Sequence, residues 1–146
     1  AKMTPRTSKI ADRMVAIGDN VWKKESTERG KIIDEALGNN LGGNFPVIDK
    51  LENGVITSIK SMDLSKPSYR TAKGIYNKLR RDVDKLDNFK EREWNKKEIS
   101  PNNYSSKKLE IAIPDMEITV EQRKGIEMVK EYAKEKGIET TITVVK

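Results

Sequence analysis

Residues 44–64 read Asn-Phe-Pro-Val-Ile-Asp-Lys-Leu-Glu-Asn-Gly-Val-Ile-Thr-Ser-Ile-Lys-Ser-Met-Asp-Leu. Asn53-Gly54 is a strong two-residue hairpin signal, because a tight turn of that type needs left-handed backbone at both central positions. Val55 to Ser61 is rich in β-branched residues and reads as a strand. Phe45 to Asp49 reads as its partner, with Pro46 placing it at a sheet edge or strand start. Residues 45–61 are therefore expected to form a β-hairpin. Side chains alternate along a strand, so Ser58 and Lys60 share a face with Ile56 and Met62, while Val55, Thr57 and Ile59 take the other.

Helices flank this hairpin. Upstream, Ser26-Thr27 are plausible caps for a helix that ends at Gly38, with Ile32, Ile33, Ala36 and Leu37 as its buried stripe and Asp34 and Glu35 beside it. Asn39 to Asn44 is a loop by composition. Downstream, Tyr69, Ala72, Ile75, Tyr76, Leu79, Val83 and Leu86 recur at helical spacing from about Ser68, which also makes Tyr69 and Tyr76 packing residues. Residues 87–103 are polar and read as a loop. Leu109–Ile113 is a strand closed by Pro114. Thr119-Val-Glu-Gln122 fits a capping box that opens a helix to Lys136, with Gly137 as the stop. Thr140–Val145 is a last strand. The fold class expected is α/β (α+β), a mixed sheet flanked by helices. The apolar spacing of residues 6–23 suggests a short amphipathic helix broken at Gly18-Asp19-Asn20, so residues 1–25 are expected as an arm or linker and 26–146 as the domain.

Composition narrows the chemistry. The chain has 146 residues, enough for one core, and contains neither Cys nor His. Disulfide scaffolds, zinc ribbons, thiol nucleophiles and His-based triads are thereby excluded. An enzyme built from this chain must use carboxylates, Lys, Ser/Thr, Tyr or a hard cation held by oxygens. No apolar run approaches the length of a membrane span, and Ala1 to Lys9 carry no apolar signal segment, so any address would come from a larger parent protein.

The net charge is +6, and the excess is local. Residues 60–97 hold 12 basic and 6 acidic residues, whereas the flanking segments nearly balance. A basic block attracts polyanions, nucleic acid first among them, although a solvated helix face is the plainer reading. Lys73, Lys78, Arg80 and Arg81 on the long helix, with Lys107 and Lys108 before the next strand, are the expected phosphate contacts. Such contacts set affinity and salt dependence, not sequence choice. Trp94, in a basic loop, either stacks on a base or anchors the loop.

Asp49 on the first strand and Lys60 on the second can meet across the pair or diagonally, and Asp34 or Glu35 offers a second acid from the helix. Two carboxylates and a Lys make a workable site for Mg²⁺ or Mn²⁺, with Zn²⁺ also admitted. Ser58 can hydrogen-bond a phosphate or a water. The plainer readings are a turn at Asp49 and a solvated Lys60. Asp63 either serves as an outer group of the site or caps the following helix.

Arg29-Gly30-Lys31 through Leu37-Gly38, Asn44 to Asp49, Ser58 to Leu64 and, more loosely, Leu109 to Pro114 resemble the C-terminal nuclease toxin domains of contact-dependent growth inhibition (CdiA) proteins. The resemblance covers roughly residues 29–145 and is most specific over 29–64. It implies a restriction-endonuclease-like PD-(D/E)XK core and metal-dependent cleavage of nucleic acid. It implies tRNA as substrate, with DNA cut by related toxins of the same fold. It further implies neutralisation by a cognate immunity protein, residence in a larger secreted or cell-surface protein, and action in the cytoplasm of a target cell. Carried over, Asp49 matches the core acid, Lys60 the core Lys and Ser58 the Ser two residues before it. The helix acid falls at Asp34 or Glu35. A non-catalytic nucleic-acid-binding module and a binding domain for an acidic protein are the alternatives from other functional classes.

Overall fold

The computed structural model describes residues 5–18, 20–42 and 44–146. Asp19 in the expected helix break and Gly43 in the expected loop lie outside the described residues, as do residues 1–4. In chain order the elements are β1 (Arg13–Val15), α1 (Ser26–Ala36), β2 (Lys50–Glu52), β3 (Val55–Ser61), α2 (Ala72–Asn88), β4 (Arg92–Trp94), β5 (Lys97–Ile99), β6 (Ser106–Pro114), α3 (Val120–Glu135) and β7 (Ile138–Val145). Five strands form one mixed sheet in the order β1-β7-β6-β3-β2, parallel except for the antiparallel β2–β3 pair. Helices cover both of its faces, as the element order predicts.

The hairpin turns where expected: Asn53 and Gly54 have φ of +53° and +75°, the left-handed pair that a tight turn requires. Its first strand differs from expectation. Residues 45–48 are not extended; pairing starts at Lys50, opposite Thr57. Pro46 has no N–H to give a ladder, its carbonyl accepts from the Ile48 N–H at 2.8 Å, and Val47 is forced to φ +69°. The chain thus bends sharply just before Asp49.

Three further expectations are corrected. Residues 6–23 are not a helix: β1 adds to β7 as a fifth, parallel strand, flanked by short 3₁₀ turns. The edge of β7 offers backbone partners that local periodicity does not register. The segment 87–103 is not a plain loop, since β4 and β5 form a separate hairpin turning at Asn95 (φ +50°) and Lys96 (φ +63°). The long helix starts at Ala72 instead of Ser68, because Thr71 accepts the Gly74 N–H in its side chain and caps it, with Pro67–Tyr69 a single 3₁₀ turn. The Thr119/Gln122 capping box is present, and Gly38 and Gly137 close their helices at φ +97° and +74°.

The core lies in two layers. The larger one packs Ile75, Leu79 and Val83 of α2 and Ile126 and Val129 of α3 against the Ile56, Leu109 and Ile111 face of the sheet. The smaller one packs Ile33 and Leu37 of α1 and Val21 against Ile59, Ala112 and Val145 on the opposite face. Ile56 and Ile59 thus fall on opposite faces, as alternation along β3 requires. Among the described residues no helix is long and apolar enough to cross a membrane.

Candidate active site

Burying Ile33 and Leu37 fixes the rotation of α1 on the sheet. Asp34, next to Ile33, is left half-buried at the margin of that contact. Two polar ties hold the end of α1 against the hairpin: the Lys50 ammonium donates to the Leu37 carbonyl at 3.2 Å, and Asn40 exchanges two hydrogen bonds with the backbone of Leu51 at 2.8 and 2.9 Å.

Asp49 follows the bend at Val47. Its own N–H donates to the Thr57 carbonyl at 2.8 Å, and its Oδ2 accepts the N–H of Ile59 at 2.7 Å. Ladder pairing of β2 with β3 runs only from Val55 to Thr57, so the Ile59 N–H is an edge donor that the carboxylate satisfies. The kink and this hydrogen bond together pin the acid to the rim of the sheet.

Asp34, Asp49 and Lys60 are brought within range of one another's charge. Burial raises the Asp34 carboxyl to about 7, the nearby Asp49 charge adds to the rise, and Lys60 opposes it. Burial also raises Asp49, against the Ile59 hydrogen bond and the Lys60 charge, which lower it. Among the described residues Lys60 makes no ion pair within 4.0 Å, so its charge acts on both acids without being locked to either. Ser58 is buried, two residues before Lys60 on β3. Of the two helix acids, Asp34 is the one coupled to Asp49 and Lys60; Glu35 is exposed and shares with Asp34 the lining of an adjoining cleft of about 390 Å³. That cleft also takes in Lys31, Asn39 and Asn44, which sequence reasoning passed over; the only signal was Lys31 three residues before Asp34 on one helix.

The donor chemistry fits a hard divalent cation. Two carboxylates converge at the site, both penalised as anions by burial, and hard cations prefer oxygen ligands. Among the described residues no group of three or more acidic side chains is close enough to hold a metal unaided. A cation here would draw its remaining ligands from water and substrate, as Mg²⁺ commonly does.

Other expected site residues lie elsewhere. Asp63 is buried and accepts the Ser65 N–H and hydroxyl at 3.0 and 2.6 Å, so it closes the turn after β3 and does not cap α2. Lys107 donates to the carbonyls of Leu86, Asp87 and Phe89 at 2.7–2.9 Å. All three of its protons are directed at carbonyls at the C-terminal end of α2. On α2, Lys78 pairs with Asp82 at 2.8 Å, Arg80 with Asp84 at 3.4 Å, and the Arg81 Nε donates to the Asn77 carbonyl at 3.2 Å. The helix thus offsets part of its own basic face, while Lys73 is exposed and Lys108 half-exposed. Tyr69 and Tyr76 pack on the larger core. Trp94 is 39% exposed on the β4–β5 hairpin, with the Arg92 guanidinium 5.7 Å from its ring, and so does not anchor that segment in the core.

A family model described as the CDI toxin restriction endonuclease-like domain matches residues 29–143. The chain belongs to this family. The matched span runs from α1 into β7 and includes Asp34, Asp49, Ser58 and Lys60, whereas β1 precedes it. Among solved structures, the domain is similar to the CdiA-CT/CdiI toxin and immunity complex from Yersinia pseudotuberculosis, with a TM-score of 0.65 and 25% identity over 75% of this chain and 90% of that one. No curated protein matches. The mixed sheet with helices on both faces is thus a restriction-endonuclease-like fold, and the chain is a CDI toxin domain.

Proposed function

We propose that this toxin domain is a metal-dependent endonuclease that hydrolyses phosphodiester bonds of nucleic acid in a competing bacterial cell. It would arrive as the C-terminal part of a larger CdiA-type protein and be neutralised by a cognate immunity protein. The carrying observation is the convergence of Asp34, Asp49 and Lys60 at one sheet edge. Asp34 and Asp49 would hold Mg²⁺ or Mn²⁺, or Zn²⁺. Such a cation lowers the pKa of a water and draws charge from the phosphoryl oxygens. Lys60 sets a positive charge beside both carboxylates, where it orients the attacking water or offsets charge on the phosphate. Ser58 offers a hydroxyl two residues away for a phosphate oxygen or a water. The Ile59 N–H holds the Asp49 carboxylate through its Oδ2.

tRNA is the substrate that the family resemblance suggests. Duplex DNA is the second reading, favoured by the restriction-endonuclease-like description of the family. Lys73, Arg80, Arg81 and Lys108 are the phosphate contacts proposed on the basic surface. The test is incubation of the purified domain with total tRNA and with plasmid DNA, each with Mg²⁺, Mn²⁺, Zn²⁺ or EDTA, beside Asp49→Asn and Lys60→Ala. Asp49→Asn keeps an acceptor for the Ile59 N–H and removes the charge, so a folded and inert protein is expected. Lys60→Ala should be slowed by roughly 10²-fold or more, the scale of removing one charged group that stabilises the transition state. Full activity of Asp49→Asn, or cleavage unaffected by EDTA, would remove the basis of the site assignment.

A further inference from the structure

The cleft beside Asp34 has a composition of its own. Its acidic side is Asp34 and Glu35, and its other lining residues are Lys31, Asn39, Gly42 and Asn44. Lys31 stands almost one turn before Asp34 on α1 and is exposed. Gly42 has φ +82°, and a β-carbon built on it would lie 3.7 Å from the Lys97 ammonium, so a second cation from β5 stands over the loop. The wall is held in place: Asn40 is bonded twice to Leu51, and the Asn39 side-chain oxygen accepts the Leu41 N–H at 3.0 Å. Besides that oxygen the Asn39 side chain carries two N–H donors.

Lys31 in the lining and Lys97 beside Gly42 suit a phosphate, and Asn39 and Asn44 suit a base or sugar edge. A volume of about 390 Å³ is at the lower end of small-molecule sites and suits a single nucleotide better than an extended strand. We propose that this cleft binds the nucleotide adjoining the scissile phosphodiester, with Lys31 and Lys97 taking its phosphate and Asn39 and Asn44 meeting its base or sugar edge. This rests on the nuclease reading above and adds where the neighbouring unit sits and what reads it. The amides carry whatever sequence preference the cleavage has, since lysine contacts to phosphate carry none.

The test uses the Asp49→Asn protein, which is expected to bind without cutting, and follows the anisotropy of fluorescein-labelled duplex DNA and labelled tRNA across a salt series with Mg²⁺ present. Lys31→Ala with Lys97→Ala should weaken binding about tenfold or more. The same pair should flatten the log–log salt slope on duplex DNA by about 2, one for each lysine that no longer neutralises a phosphate. Arg123→Ala, exposed on α3 across the sheet, serves as the comparison and should leave both unchanged. In the active protein, Asn44→Ala should change the bases found beside the cut when product ends are sequenced. Wild-type affinity and slope in the double variant, with unaltered cut-site bases in Asn44→Ala, would overturn the subsite while leaving the nuclease reading intact. Failure of Asp49→Asn to bind either probe would instead remove the nuclease reading, and the subsite with it.

Discussion

The Asp49 carboxylate acts both on the sheet edge and on its neighbour Asp34. Its oxygen replaces a missing ladder partner for Ile59, and its charge helps to raise the pKa of its neighbour Asp34. Burial of Asp34, with the Asp49 charge adding to it, gives a pH dependence whose sign follows from linkage. Asp34 in the folded protein titrates at about 7, against 3.8 for an ordinary Asp, so between these values the folded state holds more protons than the unfolded one. Stability therefore falls as pH rises through that window and levels off above it. Asp34→Asn should match the wild type near pH 4 and exceed its melting temperature increasingly towards pH 8, in EDTA. Thermal melts across that range check it, and equal melting temperatures at pH 8 would show that burial does not penalise the carboxylate. Residue types and spacing offered Asp34 or Glu35 as a second acid near Asp49 and did not distinguish between them. The two acids are adjacent in sequence, and only the packing of Ile33 and Leu37 decides which one faces the sheet margin.

At the scale of elements, two helical glycines predict opposite outcomes. A β-carbon at Gly125 would lie 2.9 Å from the Ala72 carbonyl oxygen and 3.0 Å from Ile75 Cβ, where α3 crosses the start of α2. Gly30 in α1 has nothing within 4 Å of that position. Gly125→Ala should destabilise by about 1–3 kcal/mol, as overpacking does. Gly30→Ala should stabilise by up to about 1 kcal/mol through helix propensity. Chemical denaturation measures both, and a stabilised Gly125→Ala would contradict the close crossing. Helices with caps and stops were legible along the chain because their signals are local. The β4–β5 hairpin was not, because its turn residues, Asn95 and Lys96, lie in a stretch whose strands are short and charged. Residues 45–48 misled for a related reason: the Asn53-Gly54 turn calls for a partner strand, but Val47 at φ +69° bends the chain just before Asp49.

For the molecule as a whole, Arg13–Val15 are a structural part of the sheet, although the family model begins after them. β1 covers the edge of β7, the Trp22 indole donates to the Val145 carbonyl at 2.8 Å, and Arg13 lies 3.7 Å from Glu110, which is buried and accepts the Thr143 hydroxyl at 2.6 Å. Deleting residues 1–24 should cost about 3 kcal/mol or more from the burial of Val21 and Trp22 alone. It should also expose a strand edge prone to association. Denaturant titration and light scattering on the truncated protein test this, and an unchanged, monomeric protein would count against the docking. What could be derived from the amino acids alone was the chemistry excluded by the absence of Cys and His, and the order of the principal elements. Those follow from side-chain type and short-range periodicity, which every residue carries with it. Which helix acid lies within range of the Asp49 charge, where Lys107 directs its protons, and how residues 13–15 pair depend on three-dimensional packing. Each depends on contacts between segments distant in sequence, and no local pattern encodes a partner that far away.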